Sequence, residues 1–142
     1  MNTIRRLLND KGDQVWSVSP SASVLDAIRL MAEKGIGALV VANGDQLLGV
    51  ISERDYARQV ILKGRASNST QVSEIMSSPV HTVGPDDSVQ ECLALMTQKR
   101  IRHLPVVEHG RLAGVVSIGD LVRVIIDEQK FTIEQLTAYV NS

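Results

Sequence analysis

Aromatic residues make up only 3% of this 142-residue chain: one Trp, two Tyr and one Phe. At 44% hydrophobic content the core must therefore be built from Val, Ile, Leu, Met and Ala. A single cysteine excludes an internal disulfide and a cysteine-rich metal site. An excess of one charge sign is also missing. A net charge of −1 gives no field that would draw the whole molecule to nucleic acid or an anionic membrane, so neither is an expected partner. No apolar run approaches the roughly 18 residues of a membrane span, and Met1–Asp10 is too short and too charged for a secretory leader. A soluble, cytoplasmic protein is expected. The chain has no Walker A loop, no Gly-x-Gly-x-x-Gly, and no Ser–His–Asp or paired-carboxylate pattern. No catalytic role, metal or catalytic cofactor is expected from it.

What the chain does have is an internal echo. Val15–Val60 laid over Val80–Ile125, 65 residues on, matches at 17 of 46 positions without a gap. The matches are spaced landmarks: Pro20/Pro85, Ser23/Ser88, Leu30–Met31/Leu95–Met96, Gly49/Gly114, Ser52/Ser117 and Asp55/Asp120. Two copies with so long a period do not make a solenoid. They read as one small α/β (α+β) unit made twice, packed about a pseudo-twofold axis, so any site should occur twice.

Each unit reads β-α-β-β-α. In unit one (15–63) the spacing predicts a strand Val15–Val18, a helix opened by Ser23 and closed at Gly35, strands Ala38–Ala42 and Leu47–Ile51, and a helix Glu53–Leu62. In unit two (80–128) it predicts a strand Val80–Val83, a helix Ser88–Lys99, strands His103–Val107 and Leu112–Val116, and a helix Ile118–Glu128. Residues 1–14 form an N-terminal segment with a short helix at Thr3–Asn9. Residues 64–79 are small and polar, a linker by composition. In the final segment, 129–142, a separate helix is expected at Thr132–Val140, packing through Ile133, Leu136, Tyr139 and Val140.

After the third strand of each unit comes Gly, two apolar residues, Ser, two residues, Asp: Gly49-Val-Ile-Ser52-Glu-Arg-Asp55 and Gly114-Val-Val-Ser117-Ile-Gly-Asp120. Ser-x-x-Asp before a helix is also a capping pattern, and Ser23-x-x-Asp26 and Ser88-x-x-Glu91 read as capping alone. The binding reading uses the same geometry. A helix start attracts phosphate, and an Asp in the first turn can accept both hydroxyls of a ribose. Gly permits a ligand or a backbone to come close. Both readings stay open at this point.

Together these residues resemble the cystathionine-β-synthase (CBS) domain in tandem, a stand-alone Bateman module. The resemblance spans Val15–Asp127 and rests on Val-x-Pro-x-x-Ser-Val near each start, Ile101-Arg-His-Leu-Pro-Val-Val, and Gly-h-h-Ser-x-x-Asp in both copies. It implies two clefts that bind adenosine nucleotides, with Asp55 and Asp120 holding ribose and Ser52, Ser117, Arg54 and Gly119 near ribose and phosphate. It also implies that each cleft borrows from the other repeat: Lys11–Val15, with Lys11, Asp13 and Val15, for the Asp120 cleft, and Ser77–Val80, with Ser77, Ser78 and Val80, for the Asp55 cleft. Ile36, Gly37, Ala38, Ile101, Arg102 and His103 would line base and phosphate, and Pro105 would lie beside the base.

The copies differ where charge matters. Lys99-Arg100-Ile-Arg102-His103 stands against Lys34-Gly35-Ile-Gly37-Ala38, and Arg54 against Gly119. Arg54, Arg102 and His103 are expected to converge on phosphate, which makes the Arg54 cleft the stronger site. Cys92 reads as a small buried residue, His81 and His109 as surface positions, and Lys63 and Arg65 as solvated. The expected function is a regulatory sensor of AMP, with ATP, NAD(H) or S-adenosylmethionine as alternative ligands. It would signal in trans to a target protein, because the sequence ends soon after the second unit, and as a homodimer, because apolar faces on the paired helices would otherwise face water. A ligand-free interaction scaffold and a nucleotide-processing enzyme are the competing classes.

Overall fold

The computed structural model describes residues 2–12, 14–78 and 80–141. The expected helices and strands are present, with three departures. A short helix α1 (Ile4–Lys11) leads into β1 (Ser17–Val18), α2 (Val24–Lys34), β2 (Ala38–Asn43), β3 (Gln46–Ser52) and α3 (Glu53–Tyr56), which runs on as a π-helical stretch, Ala57–Ile61. A 3-10 turn (Val72–Glu74) then leads to α4 (Val89–Lys99), β4 (His103–Glu108), β5 (Arg111–Ser117) and α5 (Ile118–Val140).

Local chemistry sets the helix ends. Ser23 and Ser88 each accept a hydrogen bond from the backbone N–H three residues on, satisfying a donor that the first turn leaves unpaired. α2 ends on Gly35 in the left-handed conformation (φ 66°). α4 makes the same ending on Arg100 (φ 56°), a residue with a side chain to accommodate.

The sheets are unequal. The first has order β1-β2-β3, with β1 parallel to β2 and β2 antiparallel to β3. Among the described residues the second contains only β4 and β5, antiparallel. The strand expected at Val80–Val83 is reduced to one bridge, Val83 with Val106. Pro105 supplies the reason: it stands where unit one has Val40, and without an N–H it cannot extend the ladder. The expected strand Val15–Val18 likewise shortens to its last two residues.

The second departure is α5. No Gly or Pro interrupts Glu128–Thr132, and the expected separate tail helix is the continuation of one 23-residue helix. It is about 35 Å long. Its first half buries Leu121 and packs Val124 and Ile125, but everything from Gln129 to Asn141 is exposed. Ile133, Leu136 and Val140 therefore do not pack on the body as expected; they are 63%, 60% and 78% exposed.

The third departure concerns the segments ahead of each unit, which cross over. α1 docks on unit two, placing Ile4, Leu7 and Leu8 in one core with Val89, Met96, Leu104 and Leu121. The supposed linker docks on unit one, placing Val72 and Ile75 with Val24, Met31, Leu39 and Ile51. The backbone bonds that fix them come in matched pairs. Ser73 N–H donates to Pro20 and Arg5 N–H to Pro85 (2.9 and 2.8 Å), while Val72 donates to Ala22 and Ile4 to Asp87 (2.9 and 3.0 Å). These pairs express the pseudo-twofold relation.

Candidate functional site

The Ser-x-x-Asp motifs form complete capping boxes. Ser52 N–H donates to Asp55 Oδ2 (2.9 Å) and Asp55 N–H to Ser52 Oγ (3.2 Å). In unit two Ser117 N–H donates to Asp120 Oδ2 (2.8 Å) and Asp120 N–H to Ser117 Oγ (3.1 Å). The capping reading is thus correct, and it does not exhaust the residues. Each box uses one carboxylate oxygen; among the described residues Oδ1 of each Asp takes no hydrogen bond. Each Asp also lines a cleft.

The Asp120 cleft, about 220 Å³, is walled by Val15, Trp16, Ile36, Ala38, Leu39 and Val40 from unit one. From unit two it takes His103, Pro105, Val115, Ser117 and Asp120, and Lys11 and Gln14 complete it. Lys11 Nζ donates to Asp120 Oδ2 at 2.6 Å and to the Val115 carbonyl at 3.0 Å. Partial burial works against ionising Asp120. The bond from Lys11 and those from Ser117 outweigh it, and the carboxyl is held below the usual carboxylate range.

The Asp55 cleft, about 620 Å³, is wider and charged. It brings together Ser52, Arg54 and Asp55 with Gly37 and Ala38, and takes Ser77, Val80, Ile101, Arg102 and His103 from beyond unit one. Borrowing between repeats therefore occurs in both clefts. Ser78 and Gly119, expected at the sites, line neither cleft, and Asp13 lies outside the described residues. Sequence reasoning missed Trp16 in one cleft and Arg58, Lys99 and Arg100 in the other, while Gln14 falls within the stretch Lys11–Val15 expected there. His81, assigned to the surface, is exposed and also lines the Asp55 cleft. The 65-residue register held a usable signal, since Trp16 and His81 occupy equivalent positions just after Val15 and Val80.

Ala38, Val50 and His103 line both clefts. Ala38 and His103 are equivalent in the repeat, so they meet where the units face each other. Burial is the main reason that His103 is held below the ordinary histidine value; Lys11 and Arg102 add to the effect and Asp120 opposes it. Cys92 is buried, and desolvation pushes its thiol up to about 11, which leaves it unreactive.

The glycines of the motif serve the fold. A Cβ on Gly49 would lie 2.7 Å from Met76 Sδ and 2.8 Å from the Ser77 carbonyl oxygen, and one on Gly114 would lie 2.8 Å from Leu8 Cδ2. What approaches these glycines is the crossed-over lead segment.

A family model for the CBS domain matches residues 11–61 and 72–127. The mitochondrial CBS domain-containing protein CBSX3 of Arabidopsis thaliana is 41% identical over 134 residues; the match covers 91% of this chain and 65% of that protein's length. Among solved structures, a CBS-domain protein from Burkholderia ambifaria is 50% identical, with a TM-score of 0.86 over 90% of this chain and 96% of the other. The CBS domain pair of protein MJ0100, solved with 5′-methylthioadenosine and S-adenosyl-L-methionine, is 21% identical. It shares the fold, with a TM-score of 0.79 over 90% of this chain and 98% of that one. With two matched repeats, crossed lead segments and a cleft beside each Ser-x-x-Asp, this chain belongs to the CBS-domain family.

Proposed function

We propose that this chain is a regulatory module that senses adenosine nucleotides, AMP foremost, in one or both clefts and signals in trans. The observation that carries the reading is the half-used carboxylate. Asp55 and Asp120 each line a cleft and close a capping box through Oδ2, which leaves Oδ1 able to accept from a ribose hydroxyl. The apolar strand residues Val40, Val50 and Val115 offer a surface for the base. The pair MJ0100, bound to two adenosine compounds in the same fold, supports this ligand class, and ATP, NAD(H) and S-adenosylmethionine are the alternatives to AMP.

The outward face of α5 supports self-association as the means of output. Val122, Ile126, Gln129, Ile133, Leu136 and Val140 step by alternating fours and threes, the spacing of a coiled-coil seam. The five apolar members are 39% to 78% exposed. We expect a homodimer built on this face, with an unidentified target protein regulated by it. Light scattering should give twice the chain mass for the wild type and the single-chain mass for Ile133→Asp. A monomeric wild type would remove the dimer from the scheme.

Calorimetry with AMP, ADP, ATP, NAD(H) and S-adenosylmethionine tests the ligand class. A ligand at a hundred times its Kd stabilises the fold by about 2.7 kcal/mol, which a melting curve resolves readily. Asp55→Asn and Asp120→Asn keep an oxygen for the cap while removing the charge, so they should bind less tightly without unfolding. A second reading, a ligand-free scaffold, draws on the capping boxes being complete without any ligand. It prevails if no adenosine compound shifts the melting temperature. Turnover of a bound nucleotide would instead make the protein an enzyme.

A further inference from the structure

Three glycines in or beside unit one's cleft-lining segments, and in unit two's motif, face arginines across the repeat. Gly35, Gly37 and Gly119 correspond to Arg100, Arg102 and Arg54. The structure gathers all three arginines at the Asp55 cleft, together with Arg58 and Lys99. The same lining holds two carboxylates, Glu53 and Asp55. Among the described residues, the side chains of Arg58, Lys99, Arg100 and Arg102 take part in no hydrogen bond or ion pair, and Arg54 donates only to the Arg100 carbonyl, at 3.2 Å. Five cations crowd one cleft of a molecule whose net charge is −1. Their mutual repulsion is relieved by an anion.

Arg100 sharpens the point. It ends α4 at φ 56°, in the left-handed region where a side chain is unfavourable, while the sister helix ends on Gly35 at φ 66°. The fold would accept glycine there, so the guanidinium is retained against a local conformational preference.

The Asp120 cleft is the reverse. Its one Lys is already committed to Asp120 at 2.6 Å and to the Val115 carbonyl at 3.0 Å. Trp16 stands where the other cleft has His81, and Leu39, Val40 and Pro105 make its walls apolar. At about 220 Å³ against 620 Å³ it is also the smaller. Among the described residues, a phosphate chain would find no unpaired Lys or Arg in that lining.

We propose that the two clefts divide adenosine ligands by charge. The Asp55 cleft takes the phosphorylated adenosine nucleotide, from mono- to triphosphate, and the Asp120 cleft takes an adenosine group that carries no phosphate. This rests on the reading that the clefts hold adenosine compounds, and it lets one molecule report two ligand pools at once.

The test is calorimetry on the full chain at fixed ionic strength with three probes: ATP, adenosine and inorganic tripolyphosphate. ATP and tripolyphosphate should compete for one site, and adenosine should bind a second without displacing them. Arg100→Gly and Arg102→Gly, which install the residues of unit one, should each weaken ATP and tripolyphosphate about tenfold or more and leave adenosine unchanged. Asp120→Asn should weaken adenosine alone. Arg100→Gly should raise the melting temperature, so lost binding there cannot be attributed to a damaged fold. Competition of ATP with adenosine for one cleft overturns the division by charge and leaves the adenosine reading standing. Tripolyphosphate binding lost in the Arg variants, with neither ATP nor adenosine bound more tightly than it, overturns the adenosine reading and keeps the anion site. Binding of none of the three probes overturns both.

Discussion

α2 and α4 occupy the same place in their units, begin on the same serine cap, and end in the same left-handed turn, one on Gly35 and the other on Arg100. The pairing recurs in the lead segments: Met76 lies against Gly49 as Leu8 lies against Gly114. The helix ends and the docking of the lead segments are thus kept alike between the units while charge is not. The core and the capping boxes specify the fold, and both units need them. The rims of the clefts are free of that requirement, so the two copies have diverged there.

The largest effect that separates the units is expected at the motif glycines. Gly49→Ala meets both Met76 and the Ser77 carbonyl oxygen, which is part of the backbone and cannot swing aside. Gly114→Ala meets only the flexible end of Leu8. Urea denaturation should show a loss of about 3 kcal/mol for the first and about 1 kcal/mol for the second. Equal losses would mean that the lead segments are held alike in the two units.

Next comes Lys11→Met, which removes the pair with Asp120 and should cost about 1 kcal/mol near neutrality. The pair depresses the Asp120 carboxyl below its unfolded value, so its contribution is present above that value and is lost as the pH falls through the lower, folded one. Urea midpoints of wild type and Lys11→Met should therefore differ at neutral pH and converge in acid. The cleft of Asp55, without such a pair, should show no matching change on Lys99→Met.

Arg100→Gly should stabilise the fold by up to about 1 kcal/mol, read as a rise of a few degrees in melting temperature. The smallest effect concerns His103. Its imidazole takes up a proton less readily in the fold than in the unfolded chain, so as the pH drops below the ordinary histidine value of about 6.5 stability falls. His103→Gln should flatten the melting temperature against pH in that range. An unchanged slope would place the titration elsewhere.

Much of this was legible in the sequence because it is local. Ser23, Ser88, Gly35 and the Ser-x-x-Asp boxes act within one turn of chain, and the strand pairs follow from short apolar runs. What escaped depends on partners far along the chain. The polarity of 64–79 reads as linker, yet Val72 and Ile75 find a core to enter. Val80–Val83 reads as a strand until Pro105, on the neighbouring strand, removes a donor. The π-helical continuation at Ala57–Ile61 left no recognisable mark. In the clefts Ser and Asp were marked by repetition and Lys11 by family resemblance, whereas Lys99 and Arg100 needed the two units to be brought together.

The crossed lead segments also dictate when this protein can finish folding. Ile4, Leu7 and Leu8 leave the ribosome well before Leu121, yet they share a core with it. At ordinary rates of synthesis the apolar face of α1 waits on the order of ten seconds for that core. Unit one closes much sooner, once Val72 and Ile75 have emerged. Unit one can therefore complete its core before unit two is made, while α1 stays exposed to chaperones and to neighbouring chains until unit two arrives.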